Sequence, residues 1–389
     1  MLTSEGCSQR QQNLWSRLPS TIDWVLIADA RHVQYFCGFR VNPLSFSADQ
    51  KALLLLQRNG SSILLADNFT RRTCTCDIHA TDEEIFPWYT HKKSVINRDE
   101  ALLNALQEHR NVFSTGRGLI EPEAVPDLIA GTVSEHADGQ FEGFVNADGQ
   151  KLTTLGAVIR DLRRQKLPDE VALLKRCMLA GDAGHAAAMK AIQPGMTELD
   201  LYLVIQNAAI RSAGQASCVY GDFRANNAAR HKAGGLPTDY VLQEGDLFIA
   251  DYSIIIDGYR SDFTNTMAVG QPSDAAVKQF QACEAALNAA AAGLKTGASG
   301  QAIYELASAE FLKRDYPPLS HHCGHGLGME HPEPPILVPE STDVLRTGDV
   351  VTIEPGLYIE GVGGMRFEHN YLITEGGSEQ LSHHHIGLT

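Results

Sequence analysis

Two carboxylates interrupt an apolar, β-branched stretch, GDLFIADYSIIIDGYRSD at residues 245–262: Asp251 and Asp262. Within it, Asp257-Gly258 is a two-residue hairpin signal, flanked by III and YRSD. With those residues as the turn, position 256 pairs with 259, so Asp251 stands opposite Thr264 and Ser253 opposite Asp262. The two acids then project from one face as diagonal cross-strand neighbours, about 7–8 Å apart. Carboxylates that close in an apolar setting repel, and one stays protonated unless a cation compensates. A divalent metal with oxygen ligands at about 2.0–2.2 Å would satisfy both. For this pair alone, a solvated hairpin face is the competing account.

The pair is not alone. GDVVTIEPG (348–356) puts Glu354 five residues after Asp349, as Asp251 is five after Asp246. Fourteen residues beyond Glu354 comes Glu368, in GGMRFEHNYLI after the glycine-rich EGVGG. That even spacing allows a shared face if the intervening turn is odd-numbered or bulged, which the sequence leaves open. Between the two acid pairs lies LSHHCGHGLGMEHPEPP (319–335). His325, held between Gly324 and Gly326, is its best imidazole donor, since flanking glycines permit close backbone approach.

The elements that must position these side chains show an internal echo. AIQPGMTELDLY (191–202) is answered by GLKTGASGQAIY (293–304), and PTDYVLQEGDLFIAD (237–251) by ESTDVLRTGDVVTIE (340–354). The offsets are 102 and 103 residues. Two similar α+β halves related by a pseudo-twofold are predicted, each reading helix, helix, loop, strand hairpin. That order implies antiparallel sheets with helices packed on one face. Upstream, DWVLIAD, KALLLLQ and SSILLAD read as short strands of a separate α/β domain. A basic run followed by Pro168-Asp169-Glu170 marks a helix start, and the predicted domains are 1–162 and 163–389.

Composition bounds the rest. The chain has 389 residues, 43% hydrophobic and 20% charged, as in soluble globular proteins. A formal net charge of −15 argues against nucleic-acid binding, where a basic footprint is expected. No apolar run approaches eighteen residues, so no membrane span is expected. The N-terminus lacks a secretory pattern, and the eight cysteines are sparse, which suggests reduced thiols and a cytoplasmic setting.

The motifs IADYSIIIDGYRSDFTNTM, HHCGHGLG, TIEPGLY and GGMRFEHNYLIT, with DWVLIADARHVQYFCGF and LRRQKLPDEVALLK upstream, resemble the pita-bread metallohydrolases. That family includes methionine aminopeptidases, Xaa-Pro aminopeptidases, prolidases and creatinases. The resemblance covers nearly the whole chain and implies an α+β fold: a creatinase-type N-terminal α/β domain, then a pseudo-twofold duplicated pita-bread catalytic domain. It implies two divalent metal ions, manganese first, with cobalt, zinc or iron as alternatives. Asp251 would bind one metal, Asp262 and Glu368 would bridge both, and His325 and Glu354 would complete the second site. Glu354 would also take the proton of a metal-bridging hydroxide's parent water. Arg366 would pair with a metal-binding carboxylate and touch substrate, and Thr264 would hydrogen-bond nearby. The implied activity is removal of the N-terminal residue from Xaa-Pro peptides by a homodimeric aminopeptidase or dipeptidase.

Departures from the family pattern fall on the substrate-side histidines. Relatives carry a second His seven residues after the liganding one; here position 332 is proline and His331 comes at six. His231, in ARHKAGGLPTD, precedes what looks like a three-residue insertion, and His321 lies four before His325. The resemblance gives His231, His321 and His331 catalytic or substrate-binding roles, and His322 none. The alternative keeps the metals but changes the substrate to a small amide, a cyclic amidine or an osmolyte. A non-catalytic binding protein on this fold is disfavoured because all five ligands are present.

Overall fold

A computed structural model describes residues 1–232 and 234–389. These residues form two compact units, Met1–Arg163 and Arg164–Thr389. In the first, the short apolar runs become strands β1 (Trp24–Ile27), β2 (Leu53–Gln57) and β3 (Ser62–Asp67). With β4 (Asp82–Phe86), β5 (Gly118–Ile120) and β6 (Ala137–Asp138) they make a mixed sheet in the order β4-β3-β2-β1-β5-β6. Helices α1 (Ser4–Arg17), α2 (Ala30–Cys37), α3 (Asn68–Arg71), α4 (Arg98–Gln107), α5 (Arg110–Thr115) and α6 (Asp127–Val133) accompany it. Trp24, Leu26, Leu53, Leu55 and Leu65 of the sheet pack with Leu102 and Leu106 of α4 in one buried cluster. A ribbon of β7 (Phe144–Val145) and β8 (Lys151–Leu152) leads into α7 (Leu155–Arg164).

The second unit is built twice over. In its first half, α8 (Pro168–Ala191) starts at the predicted proline, where the missing N–H costs nothing and the Glu170 carboxylate accepts the Leu167 N–H at 2.9 Å. Then come α9 (Glu198–Ala213), β9 (Cys218–Asn226), β10 (Leu247–Ile256), β11 (Tyr259–Arg260) and β12 (Phe263–Ala268). The second half runs α10 (Asp274–Ala292), α11 (Gly300–Leu312), β13 (Gly324–Gly326), β14 (Glu333–Leu337) and β15 (Val350–Ile353). It ends with β16 (Gly356–Ile359), β17 (Gly363–Arg366), β18 (His369–Thr374) and β19 (Gly377–Gln380). All the pairings in this unit are antiparallel.

The two halves repeat in detail. Thr197 caps α9 and bridges to Val241, while Ser299 caps α11 and bridges to Val344. Asp246 accepts the N–H of Gln243 at 2.9 Å, and its counterpart Asp349 accepts that of Arg346 at 2.8 Å. Each acid closes the turn that launches the strand carrying a candidate ligand. Behind the second sheet, Val351, Ile353 and Phe367 pack with Ala286, Ile303 and Phe311 of α10 and α11 in one core. A polar face opposite this apolar one is thereby left to the site.

Candidate metal centre

The first hairpin folds as its sequence predicts. Asp257 and Gly258 take φ values of 47° and 82°, and Ile256 pairs with Tyr259, as a two-residue turn of mirror-image type requires. Asp251 lies opposite Thr264, so Asp262, two residues nearer the turn, shares its face. In the second half, β15 and β18 pair Ile353 with His369, and β16 and β17 pair Gly356 with Arg366. The same register carries through both, so Glu354 and Glu368 stand directly opposite one another. The loop between β16 and β17 holds three residues, 360–362, which is the odd number the shared face needs.

A seam joins the halves. The Glu368 N–H donates to Thr264 O at 2.9 Å, and Thr266 and Arg366 exchange two hydrogen bonds at 3.0 Å. Across it, Asp251, Asp262 and Glu368 bring one carboxylate oxygen each to within 4.8 Å of one another. Thr264 Oγ1 donates to Glu368 Oε2 at 2.8 Å, while the buried Glu368 Oε1 has no hydrogen-bond partner among the described residues. Burial pushes the Glu368 pKa well up, and the charges of Asp262, Glu354 and Asp251 push it further. Burial raises the Asp251 carboxyl too, and with its acidic neighbours outweighs the Arg366 guanidinium that pairs with it.

His325 reaches the same cluster from β13. Its glycine flanks are needed for packing as much as for access: a Cβ at Gly324 would lie 2.0 Å from Thr352 O, and one at Gly326 2.2 Å from Pro334 O. His325 Nε2 lies 3.4 Å from both Asp262 Oδ2 and Glu354 Oε1, and its Nδ1 lies 2.8 Å from Gly326 O. With Nδ1–H given to that carbonyl, Nε2 faces two carboxylates and needs a proton or a metal ion between. Against the opposing effect of burial, those acids raise the imidazole pKa to about 9. Burial also opposes ionisation of Glu354, but His322, His325 and Arg366 hold its pKa down.

Arg366 pairs with Asp251, as expected for a group that orients a ligand carboxylate. It also donates to Tyr358 Oη at 3.1 Å and lies 3.9 Å from Asp222 Oδ2. His331 Nε2 sits 2.9 Å from Asp262 Oδ2, and its ring meets that of His325 edge-on at 4.7 Å. His321 has its Nδ1 2.8 Å from His322 O and its buried Nε2 without a hydrogen-bond partner among the described residues. Burial lowers its pKa to about 4, so the ring is neutral. His231 joins none of these donor groups: among the described residues its imidazole makes no hydrogen bond or ion pair, and its backbone O lies where a Cβ at Gly364 would meet it at 2.4 Å.

Three participants were not assigned from sequence. His322, given no role there, has Nδ1 3.3 Å from Glu354 Oε1. Tyr358 and Asp222 bracket the Arg366 guanidinium, and Asp222 pairs directly opposite Asp251 between β9 and β10. Strand alternation would have found Asp222 once β9 was registered, but no turn signal fixes that register.

The family model described as metallopeptidase family M24 matches residues 172–375, more than half of the chain. The chain belongs to metallopeptidase family M24. It is 31% identical over 265 residues to a Xaa-Pro dipeptidase of Pyrococcus furiosus, covering 65% of this chain and 72% of that one. It is 33% identical over 236 residues to a Xaa-Pro dipeptidase of Pyrococcus horikoshii, covering 58% and 64%. An uncharacterised peptidase of Bacillus subtilis is 31% identical, covering 60% and 66%. The alignments thus span slightly less than two thirds of the latter two relatives. The structure matches a Xaa-Pro dipeptidase from Bacillus anthracis with a TM-score of 0.77, 21% identity, and coverage of 98% and 99%. It matches the P. horikoshii prolidase at 0.76, with 23% identity and coverage of 99% and 100%. These structures establish the pita-bread fold over the length of this M24 chain. No helix among the described residues is long and apolar enough to cross a membrane.

The donor set fits divalent metal. Four carboxylates and an imidazole converge from separate segments, a buried carboxylate oxygen lacks a hydrogen-bond partner among the described residues, and the Arg366 guanidinium pairs with only one of the acids, Asp251, at hydrogen-bond range. Buried charges of one sign persist only when paired or bound to metal.

Proposed function

We propose that this M24 chain is an exopeptidase that removes the N-terminal residue from Xaa-Pro peptides, using two divalent ions. Asp251, Asp262 and Glu368 would hold one ion, and Asp262, His325, Glu354 and Glu368 the other. The observation that carries the reading is that Asp251, Asp262 and Glu368 each bring an oxygen within 4.8 Å of the others, while His325 Nε2 lies 3.4 Å from both Asp262 and Glu354 and Glu368 Oε1 has no hydrogen-bond partner among the described residues. The names of the Pyrococcus relatives support the substrate class. Bound divalent ions of this kind polarise a carbonyl and lower the pKa of water. The protein's own groups do the remainder. Glu354, kept ionised by the imidazoles and guanidinium beside it, accepts a proton and passes it towards the leaving amine. Arg366 keeps Asp251 aligned through Tyr358 and Thr264, at 3.1 and 3.3 Å. His321, neutral and with its buried Nε2 free of hydrogen bonds among the described residues, would accept a hydrogen bond from substrate. Homodimerisation, with a cytoplasmic location, belongs to the same reading and is tested by sedimentation of the purified chain.

A second reading, turnover of a small amide by the same centre, is favoured by the altered substrate-side loops, with His331 six residues after His325 and an apparent insertion after His231. Purified protein supplied with manganese or cobalt is to be assayed on Xaa-Pro dipeptides, longer Xaa-Pro peptides and small amides. Turnover of proline peptides that is lost in Asp262→Asn supports the first reading. Two bound metals with no turnover of any proline peptide would favour the second.

A further inference from the structure

We propose that His331 is a direct metal ligand in this chain, giving the ion beside Glu354 two imidazoles rather than one. The inference rests on the dinuclear reading above and concerns what this sequence does differently. One ring nitrogen each of His331 and His325 and an oxygen of Asp262 all lie within 4.8 Å of one another. The two imidazole-to-carboxylate separations are 2.9 and 3.4 Å. Ligands at about 2.0–2.2 Å from one ion, at tetrahedral or octahedral angles, stand at such separations.

The turn bearing His331 is fixed for this purpose. Glu333 Oε1 accepts the N–H groups of Met329 and Glu330 at 3.0 and 2.9 Å, and its other oxygen pairs with Lys166 at 3.2 Å. Glu333 and Lys166 are both buried, so this clamp is anchored inside the unit. It presents the residue six positions after His325, with proline next. The imidazole is 42% exposed yet aimed at the most buried acid of the hairpin. Two imidazoles also alter the preference of that ion, since nitrogen donors favour zinc, iron or cobalt over manganese. The Asp251 side, built of oxygens, retains the affinity for manganese.

The test uses the full chain, stripped with chelator and reloaded with two equivalents of zinc. X-ray absorption at the zinc edge counts imidazoles by their outer-shell scattering. Wild type is expected to give two imidazoles per metal pair and His331→Ala one. Competition with a chromophoric chelator should show the weaker zinc in His331→Ala bound at least about tenfold less tightly, the scale on which neighbouring groups already tune metal affinity. His231→Ala should leave count and affinity unchanged. Two zinc ions with a single imidazole in wild type, unaltered by His331→Ala, would overturn this inference and leave the dinuclear proposal standing. A wild-type chain that binds no zinc would overturn both. Because His331 lies in an exposed turn, an unchanged thermal transition of the stripped variant shows that the substitution spares the fold.

Discussion

The two hairpins of the second unit occupy matching places, yet they carry opposite chemistry. In the first, Asp251 faces Thr264 and Asp262 lies two residues towards the turn. In the second, Glu354 faces Glu368, and the position two residues towards the turn is Arg366. The pseudo-twofold thus matches an acid with an acid, a threonine with an acid, and an acid with a guanidinium. Each mismatch is used across the seam: Thr264 donates to Glu368, and Arg366 pairs with Asp251. The second half alone adds His321, His322, His325 and His331. Duplication therefore supplies the frame, and divergence supplies an oxygen-rich end and a nitrogen-rich end.

The comparison breaks most severely at Asp262, which contacts both kinds of donor. Asp262→Asn should lower peptidase activity by on the order of 10³-fold, because metal electrostatics contribute several kcal/mol. Metal content measured on the same protein should fall below two per chain. Arg366→Met comes next, since it leaves Asp251 buried without its cation. The stripped protein should lose about 3 kcal/mol in urea unfolding, as when one partner of a buried ion pair is removed. Metal loading should restore part of that loss.

The third test compares stripped and loaded protein across pH. The carboxyls of Glu368 and Asp251 are raised, so the folded stripped chain holds protons that the unfolded chain has released. Its stability therefore falls as pH rises above the ordinary carboxyl range. Metal replaces those protons. The gap in melting temperature between loaded and stripped protein should widen from pH 5 to pH 8, and a constant gap would count against shared carboxylates. The mildest change is Thr264→Val, which removes the donor to Glu368 Oε2. About tenfold weaker metal binding is expected, with the fold retained.

Much of this site was legible before any coordinates. The Asp257-Gly258 turn fixed the first hairpin because only a mirror-image turn suits that dipeptide, and register follows from it. The echo between halves carried the same logic to Glu354. Glu368 could not be registered from sequence, since its face depended on a turn length inside a glycine-rich loop. His322 and His231 show the limit from the other side. An imidazole in a loop has no periodicity, so its direction is decided by packing: His322, given no role, stands 3.3 Å from Glu354, while His231, given one, joins none of the donor groups among the described residues. The first unit was legible in its central strands but not in its edges. β4 and β6 are short and polar, and they owe their pairing to neighbours rather than to pattern.

The stitch between Thr266 and Arg366, with the Glu368 amide on Thr264, has one further effect. Ligands supplied by two halves would ordinarily be free to drift apart whenever the halves rock. Here the two halves are bonded to each other at Thr264 and Thr266, two and four residues from Asp262, so the spacing of the acids is tied to the seam and cannot work as a hinge.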